Sequence, residues 1–309
     1  MATVSVITPF YDGNDHMKAW QGSICDNENY LRKMNDEKKT SHSIEVILVN
    51  DSPGIDPVLT GINSGKKNWH TIANPKNIGI HGSRVHGLSK AKGEYVLFLD
   101  QDDILRYDAL YAFLEEAKKH EGEDAVIISN ALIDLGNEKQ KLVRTASHRA
   151  LMWDFDTYIR VGTQIISPGQ CLIKRSLIPD FWKENLLKEN GSDDFFLWLL
   201  MMKNGVAGVF FDEPLYHHID TGSNISADSS ATDRSCFEFL DLLSGKEIMS
   251  EKEISTLRKT LSVKSRFRKG NALKKLLISM AHPIVVGTNV IYKAKTKTGY
   301  GFGRTAPGK

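Results

Sequence analysis

The first half of the chain alternates short apolar runs with longer polar stretches of helical periodicity. The apolar runs are rich in β-branched and aromatic residues, which is typical of strands that are buried on both faces. The predicted strands are Val4–Phe10, Glu45–Asn50, Trp69–Asn74, Tyr95–Leu99 and Ala125–Asn130. The predicted helices are Asn14–Met34, Asp56–Lys66, Ile80–Lys92 and Asp108–His120. Strands that alternate with helices indicate an α/β fold with a mostly parallel central sheet flanked by helices.

The second half, from about residue 131, loses this strict alternation. It contains the loop-rich segment Ile166–Pro179, a helix that begins near Asp193 and continues through the apolar run FFLWLLMM, and a strand-like run that ends in LYHH. The stretch Leu276–Tyr292 is apolar but is interrupted by polar residues and by Pro283. It is therefore a poor membrane-spanning helix and fits a segment at the membrane interface better.

The last part of the chain differs from the rest in charge. No Asp or Glu follows Glu253, and residues 258–309 contain 13 Lys and Arg, so the preceding part carries 27 basic and 38 acidic side chains. A basic tail on an acidic body favours contact with an anionic surface, which is either nucleic acid or membrane lipid.

Overall composition is that of a globular protein, with 41% hydrophobic and 25% charged residues in 309. Its cysteines are Cys25, Cys171 and Cys236. Three cysteines without a CxxC pair argue against a disulfide framework and a thiolate zinc site, and they suit a reducing compartment. The N-terminus lacks the charged and long apolar regions of a secretory signal, so we predict none.

Carboxylates follow three of the predicted strands. Asp12 and Asp51 come after the first two, and Asp100, Asp102 and Asp103 come after YVLFL. Because α/β sheets bind ligands beyond the carboxyl ends of their parallel strands, these side chains should share one edge. Helix capping explains any one such Asp. A bound cation explains the cluster, since Mg²⁺ and Mn²⁺ favour oxygen ligands and keep open positions for phosphates.

Two common phosphate-binding motifs are absent from the sequence. There is no GxxxxGK[ST] loop, and the stretch NIGIHGSRVHG lacks GxGxxG and the acidic residue that a dinucleotide site requires. A P-loop and a dinucleotide-binding fingerprint are therefore excluded.

Three segments in order, VSVITPFYD, VILVNDSPGID and NPKNIGIHGSRVHGLSKAKGEYVLFLDQDD, resemble the family-two inverting glycosyltransferases with the GT-A fold. That family has a first strand ending in Pro-x-Tyr, a second ending in an Asp pair, an Asn-x-Gly…Arg segment, and a Gly-Glu-Tyr strand that runs into Asp-x-Asp. The resemblance covers residues 3–110 closely and 166–205 loosely. It implies a GT-A catalytic domain over 1–215 (nucleotide-sugar half 1–110, acceptor half 111–215), a closing loop and helical segment over 216–261, and a basic amphipathic tail over 262–309.

Position by position, the resemblance implies a set of donor-binding residues. Tyr11 and Asp51 would contact the base, with Asp51 accepting from a uracil imide, although the family's Asp pair is Asn50-Asp51 here. Asp102 would be the main ligand of Mn²⁺ or Mg²⁺, with Asp100 beside it. His217 or, by preference, His218 would be a further metal or phosphate ligand. The implied nucleotide-sugar contacts are Pro9, Tyr11, Asp51, Asn77, Gly79, Arg84, Asp100 and Gln101, and the implied contacts to the donor or acceptor sugar are Gly169 and Gln170.

The motif Gly191-Ser192-Asp193-Asp194, at the start of a helix, resembles the family's Glu-Asp motif on the acceptor side. Inverting transfer needs a base for the acceptor hydroxyl, and a carboxylate within hydrogen-bond distance can serve. The motif implies Asp194 as this base, with Asp193 beside it as a second catalytic carboxylate. Negative residues at a helix start also stabilise the helix, and the two roles are compatible. The tryptophans that could stack on a sugar ring are Trp153, Trp182 and Trp198, of which Trp198 suits the core better.

The resemblance implies a metal-dependent inverting glycosyltransferase. It would move a sugar from a nucleotide diphosphosugar, most simply a UDP-sugar, to a hydroxyl of a glycan or lipid-linked acceptor in cell-surface polysaccharide synthesis. The basic tail would give a cytoplasmic protein peripheral contact with the inner face of the cell membrane. With a glycan or lipid-linked acceptor, no nucleic-acid partner is expected. One alternative is a sugar-nucleotide nucleotidyltransferase, whose N-terminal Gly-rich loop is absent. The other is a catalytically silent module whose tail binds DNA or RNA in a salt-sensitive manner.

Overall fold

The computed structural model describes residues 2–60, 66–135, 138–222 and 229–297. Its strands are β1 (Thr3–Phe10), β2 (Ser43–Asn50), β3 (Trp69–Ala73), β4 (Tyr95–Phe98), β5 (Ile104–Leu105), β6 (Ala125–Leu135), β7 (Glu138–Lys141), β8 (Cys171–Lys174) and β9 (Ala207–His218). Its α-helices are α1 (Asn14–Lys38), α2 (Gly79–Lys90), α3 (Ala109–Lys119), α4 (Ala146–Ala150), α5 (Phe155–Arg160), α6 (Asp180–Glu184), α7 (Asp193–Lys203), α8 (Ser229–Leu243), α9 (Glu251–Lys269), α10 (Ala272–Ala281) and α11 (Pro283–Thr296).

The strands form a sheet in the order β3-β2-β1-β4-β8-β6-β9-β5, with β7 paired to β6. β3, β2, β1 and β4 are parallel to one another. β8 is antiparallel to both β4 and β6, and β9 is parallel to β6. The predicted α/β fold with flanking helices is confirmed. Its parallel part is the N-terminal half, and beyond β4 the sheet is mixed.

Helix α1 covers the parallel part of the sheet because its apolar residues recur with helical spacing. Met17, Trp20 and Ile24 are fully buried, and Trp20 Nε1 donates to Thr8 Oγ1 of β1 at 3.0 Å. Residues at i, i+3 and i+7 lie on one face of a helix, so this face meets the sheet while the polar face stays in water. The apolar periodicity that predicted α1 therefore also explains its packing.

The segment before β3 differs from the prediction. Residues 56–60 are not helical, so the predicted helix Asp56–Lys66 is wrong there, and residues 61–65 lie outside the described part of the chain. Side chains of α1 hold this segment, since Asn14 Oδ1 accepts from Val58 N at 2.8 Å and Gln21 Oε1 accepts from Thr60 N at 3.0 Å. These bonds occupy backbone groups that a helix would use.

The chain after β9 consists mainly of α8 to α11 in its described part, and the predicted division after residue 215 falls within β9. Residues 223–228 of the predicted closing loop and residues 298–309 of the predicted tail lie outside the described part of the chain. α11 is attached to the body through the buried residues Asn289 and Tyr292, and Asn289 Nδ2 donates to Arg160 O at 3.2 Å. α10 has no buried residue. Among the described helices, none alone is long and apolar enough to cross a membrane. α10 and α11 reach that length and composition only as a pair, which is bent by 108°.

Candidate functional site

A cavity of about 610 Å³ lies at the carboxyl edge of β1, β2 and β4. Ligand pockets typically measure about 300–1,000 Å³. The predicted site residues that line this cavity are Pro9, Tyr11, Asp51, Asn77, Gly79, Arg84, Asp100, Gln101, Asp102, Asp193, Asp194 and His218. The fold thus brings together residues that come from the first strand, the last strand and the helix starts between them.

Asp103, in the acidic cluster after β4, makes hydrogen bonds to the end of β9. It is buried, and it accepts hydrogen bonds from Ile219 N at 2.9 Å and from the hydroxyl of Tyr216. Nδ1 of His218 lies 3.2 Å from the same carboxylate. Asp103 therefore ties the turn after β4 to the end of β9, and it holds His218 at the cavity wall.

Asp102 faces the cavity, and its surroundings suit a divalent cation. Burial raises the pKa of Asp102 to about 7, and the negative charges of Asp103 and Asp100 add to the rise. Negative charge is therefore undercompensated at this point, and a bound cation would relieve it. Within the described ranges, no group of three or more His, Cys, Asp or Glu side chains is arranged to hold a metal ion by itself. Mg²⁺ usually binds through one or two carboxylates plus substrate phosphates, so the residues fit a metal whose coordination a diphosphate completes.

Arg84 is buried between Asp100 and Asp193 and joins two acidic segments. Its Nη2 donates to Asp100 Oδ1 at 2.5 Å and its Nη1 to Asp193 Oδ2 at 2.7 Å, and only 3% of its side chain is exposed. Burial alone would lower the pKa of Arg84, but Asp193, Asp100 and Asp194 raise it above its usual value. The guanidinium therefore stays charged, and it couples the end of β4 to the start of α7.

Asp51 holds the first turn of α2 from the end of β2. Its Oδ1 accepts from Asn74 Nδ2 at 2.8 Å and from Ile78 N at 2.9 Å, and its Oδ2 accepts from Gly79 N at 2.9 Å. Gly79 has a φ of +81°, and a Cβ there would lie 2.8 Å from Asn190 Oδ1, so both conformation and space require glycine. The predicted base contact would thus use a carboxylate that the start of α2 already orients.

Gln101 fixes the backbone of Tyr11 at the end of β1. Tyr11 N donates to Gln101 Oε1 at 2.9 Å, and Gln101 Nε2 donates to Tyr11 O at 3.0 Å. The amide of Gln101 is therefore engaged in holding the loop. The side chain of Tyr11 is 58% exposed at the cavity, where an aromatic ring can stack on a flat ligand.

Asp193 and Asp194 occupy the first turn of α7, where negative side chains stabilise a helix. Asp194 Oδ1 accepts from Phe195 N at 2.7 Å. Burial raises the pKa of Asp194 to about 7 and Asp193 adds to the rise, while Arg84 opposes it. A general base works best when its pKa is close to the working pH. Asp194 can therefore accept a proton from a bound hydroxyl near neutrality.

Gly169 and Gln170 are not among the residues that line the cavity, and their predicted contact with a sugar stays a prediction. Gln170 is fully buried, and its Oε1 accepts from Ile166 N at 2.7 Å while its Nε2 donates to Ser129 O at 3.1 Å. A Cβ at Gly169 would lie 2.5 Å from the ring of Tyr216. Both residues pack behind the cavity wall and support it.

The tryptophans and one histidine also lie away from the cavity wall. Trp182 and Trp198 are fully buried, and the ring of Trp153 packs against that of Trp198 at 5.7 Å between centroids. Core packing therefore accounts for Trp182 and Trp198, whereas Trp153 is half-buried and its predicted stacking on a sugar stays a prediction. His217 Nε2 lies 2.8 Å from Asp134 Oδ1, because successive side chains of β9 point to opposite faces.

Sequence reasoning missed several residues that line the cavity, namely His16, Ser167, Asn190 and Thr221. Ser167 Oγ donates to Asp100 Oδ2 at 3.0 Å. Asn190 Oδ1 accepts from Ile80 N at 3.1 Å. Ser167 lies inside the loop-rich segment Ile166–Pro179, and Asn190 directly precedes the motif that begins at Gly191. Their position in or beside these segments is a usable signal. His16 and Thr221 carry no such signal.

Comparison with known proteins identifies the family. Residues 5–182, more than half of the chain, match the family model of glycosyl transferase family 2. An uncharacterized glycosyltransferase of Haemophilus influenzae is 28% identical over 152 residues, which are 47% of this chain and 54% of that protein. TuaG of Bacillus subtilis, named as a teichuronic acid biosynthesis glycosyltransferase, is 31% identical over 114 residues, which are 36% of this chain and 40% of that protein. The matches therefore span about half of these relatives or less.

Solved structures with low sequence identity share the fold. Residues 1–349 of TarS from S. aureus, in complex with UDP-GlcNAc, match with a TM-score of 0.59 and 15% identity over 95% of this chain and 81% of that one. The mannosyltransferase PcManGT from Pyrobaculum calidifontis, in complex with GDP-Man and Mn²⁺, matches with a TM-score of 0.50 and 12% identity over 95% and 83%. These likenesses confirm the predicted GT-A fold. The family match, together with this fold and the acidic side chains at the carboxyl edge of the sheet, shows that the chain belongs to glycosyl transferase family 2.

Proposed function

We propose that the protein is a metal-dependent, inverting glycosyltransferase that moves a sugar from a nucleotide diphosphosugar to an acceptor hydroxyl. The observation that carries the proposal is that Asp102, after β4, and Asp194, at the start of α7, line one cavity. Family membership supports glycosyl transfer. The two carboxylates then serve the two ends of that reaction, the departing diphosphate and the attacking hydroxyl.

On the donor side, the ring of Tyr11 stacks on the base and Asp51 accepts a hydrogen bond from it. A uracil imide supplies such a donor, and the complexes of TarS with UDP and UDP-GlcNAc support a UDP-sugar. A divalent cation, Mn²⁺ or Mg²⁺, held by Asp102 with Asp100 and His218 close by, would neutralise the charge of the departing diphosphate. The Mn²⁺ in the PcManGT complex supports this choice of metal.

On the acceptor side, Asp194 removes the proton of the acceptor hydroxyl as that oxygen attacks the anomeric carbon. The bond between the anomeric carbon and the diphosphate oxygen breaks on the opposite face, so the configuration inverts. The pKa of Asp194, raised to about 7 by burial and by Asp193, suits this proton transfer at neutral pH. Asp193 itself is bound to Arg84 Nη1 at 2.7 Å. Its role is therefore to hold the motif and to raise the basicity of its neighbour.

The proposed acceptor is a hydroxyl of a glycan, free or carried on a lipid, in the synthesis of cell-surface polysaccharide. The assignment of TuaG to teichuronic acid biosynthesis supports this class. The basic C-terminal part supports a cytoplasmic protein that contacts the inner face of the cell membrane, where anionic lipids attract Lys and Arg.

Release of nucleoside diphosphate from a panel of nucleotide sugars tests the proposal. We expect slow hydrolysis of one donor class, most simply UDP-sugars, which Mn²⁺ stimulates and EDTA stops. The Asp194→Asn variant should still bind UDP and lose transfer, whereas Asp180→Asn, at an exposed aspartate outside the cavity, should retain both. Failure to hydrolyse any donor, together with failure to bind UDP in the presence of Mn²⁺, would refute the proposal. Formation of nucleoside triphosphate from a nucleotide sugar and pyrophosphate would assign the cavity to a nucleotidyltransferase.

A further inference from the structure

Helix α10 carries an exposed apolar stripe that lies outside the cavity and outside the family match. The residues of this stripe are Leu273, Leu276, Leu277 and Met280, and each is more than half exposed. Positions i, i+3, i+4 and i+7 lie on one face of a helix. No residue of α10 is buried, so nothing in the described part of the chain covers the stripe. A contiguous apolar surface of this kind marks an interaction site.

A groove adjoins the stripe where the end of α9 meets α10. It has a volume of about 500 Å³, and its lining includes Arg266, Lys269 and Lys274 as well as the apolar side chains of Leu277 and Ile278. Leu277 belongs to both groove and stripe, so the two surfaces are continuous. Cations beside apolar side chains suit a ligand that has an anionic head and hydrocarbon chains.

The protein's own carboxylates do not neutralise the lysines of this groove. Arg268 of α9 faces the body and pairs with the carboxylate of Asp233. Among the described residues, by contrast, neither Lys269 nor Lys274 makes an ion pair. The sequence contains no Asp or Glu after Glu253 that could supply one. Among the described residues, the groove therefore keeps cations that an external anion can neutralise.

We propose that this surface docks on an anionic lipid bilayer, with lipid phosphates in the groove and the α10 stripe in the acyl boundary. Each Lys or Arg beside an anionic membrane strengthens binding about fivefold, and the apolar stripe adds insertion of its side chains. Because Asn289 and Tyr292 fix α11 to the body, docking through α10 would also restrict how the protein lies on the membrane. This surface gives a site for the membrane contact that the proposed function includes, and lipid binding here does not depend on whether the cavity transfers a sugar.

Sedimentation of the full chain with vesicles tests the proposal. Vesicles of phosphatidylcholine alone are compared with vesicles that also contain phosphatidylglycerol, and we expect the wild-type protein to prefer the second kind. Lys269→Gln/Lys274→Gln should weaken binding to the vesicles with phosphatidylglycerol about 25-fold. Leu276→Asn/Met280→Asn should also reduce the fraction of protein that sediments with these vesicles. Lys90→Gln/Lys118→Gln removes two exposed lysines from the ends of α2 and α3 and should leave binding unchanged. Thermal melts show whether each variant is folded, which all should be since the changed residues are exposed.

Equal binding of the wild-type protein and Lys269→Gln/Lys274→Gln to anionic vesicles would overturn the proposal. The proposal would also be overturned if the wild-type protein does not bind vesicles but forms dimers, and if Leu276→Asn/Met280→Asn is monomeric. The stripe would then be a contact between two copies of the chain. Salt-sensitive binding of duplex DNA without vesicle binding would assign the groove to nucleic acid. Donor hydrolysis is measured without vesicles, so a failure of the proposed transfer reaction is distinguished from a failure of lipid binding.

Discussion

Replacement of Arg84 removes the buried link between the donor and acceptor carboxylates. In Arg84→Gln, Asp100 Oδ1 and Asp193 Oδ2 lose cationic donors that lie at 2.5 and 2.7 Å. A hydrogen bond to a charged group contributes about 1.5–3 kcal/mol, and removal of one partner of a buried ion pair costs about 3–5 kcal/mol. The Asp193 side chain is 4% exposed and that of Asp100 22%, so water can replace the arginine only at Asp100. We therefore expect the free energy of unfolding to fall by about 4 kcal/mol.

Thermal unfolding measures this loss. In a chain of this size 1 kcal/mol corresponds to about 2 °C, so the Tm of Arg84→Gln should fall by about 8 °C. The Tm of Arg84→Lys should fall by about half as much, because an ammonium group cannot bind both carboxylates in the way that a planar guanidinium does. Arg160→Gln is the matched control. It removes an arginine that pairs with Asp156 at 2.7 Å on the exposed surface, and this should cost less than about 1 kcal/mol.

Arg84→Gln should also change the pH dependence of transfer. The wild-type rate should rise as the pH increases through about 7, because Asp194 must lose its proton to act as a base and its pKa is raised to about 7, by burial first. Arg84 opposes that rise, so its removal should raise the pKa of Asp194 further and move the rising limb of kcat/KM to higher pH. A Tm within about 2 °C of wild type, or a limb that stays at the same pH, would refute the reasoning.

Three further substitutions test single residues of the site. Asp194→Asn should abolish transfer while its Tm at pH 8 stays at or above that of wild type. The change removes a carboxylate whose pKa is raised to about 7 and whose ionised form therefore destabilises the folded protein; a lower Tm would contradict this. Asp102→Asn should make UDP affinity equal with and without Mn²⁺ in calorimetry, and a retained Mn²⁺ dependence would remove Asp102 from the metal site. Gly79→Ala should lower the free energy of unfolding by about 1–3 kcal/mol in urea, since φ is +81° and the new Cβ would lie 2.8 Å from Asn190 Oδ1.

The sequence by itself determined the N-terminal architecture and the chemical nature of the site. β1, β2 and β4 are buried runs of apolar residues, and α1 and α3 have apolar residues at helical spacing, so their types follow from local pattern. A parallel sheet places the carboxyl ends of its strands at one edge, which is why the order of strands and carboxylates along the chain suffices to assign Asp51 and Asp102 to one site. The start of α7 at Asp193 also follows from the local sequence.

Only the tertiary structure decided which task each polar residue performs. Asp100, Asp102 and Asp103 are neighbours in sequence. The carboxylate of Asp103 accepts hydrogen bonds from the end of β9, whereas Asp102 faces the cavity. The bridge from Arg84 to Asp193, the burial of Gln170 and the exposure of the α10 stripe were equally invisible in the sequence. Periodicity reports which face of an element is apolar, but hydrogen bonds and burial depend on what other elements bring to that face. Partners that lie more than a hundred residues away leave no local trace in the chain.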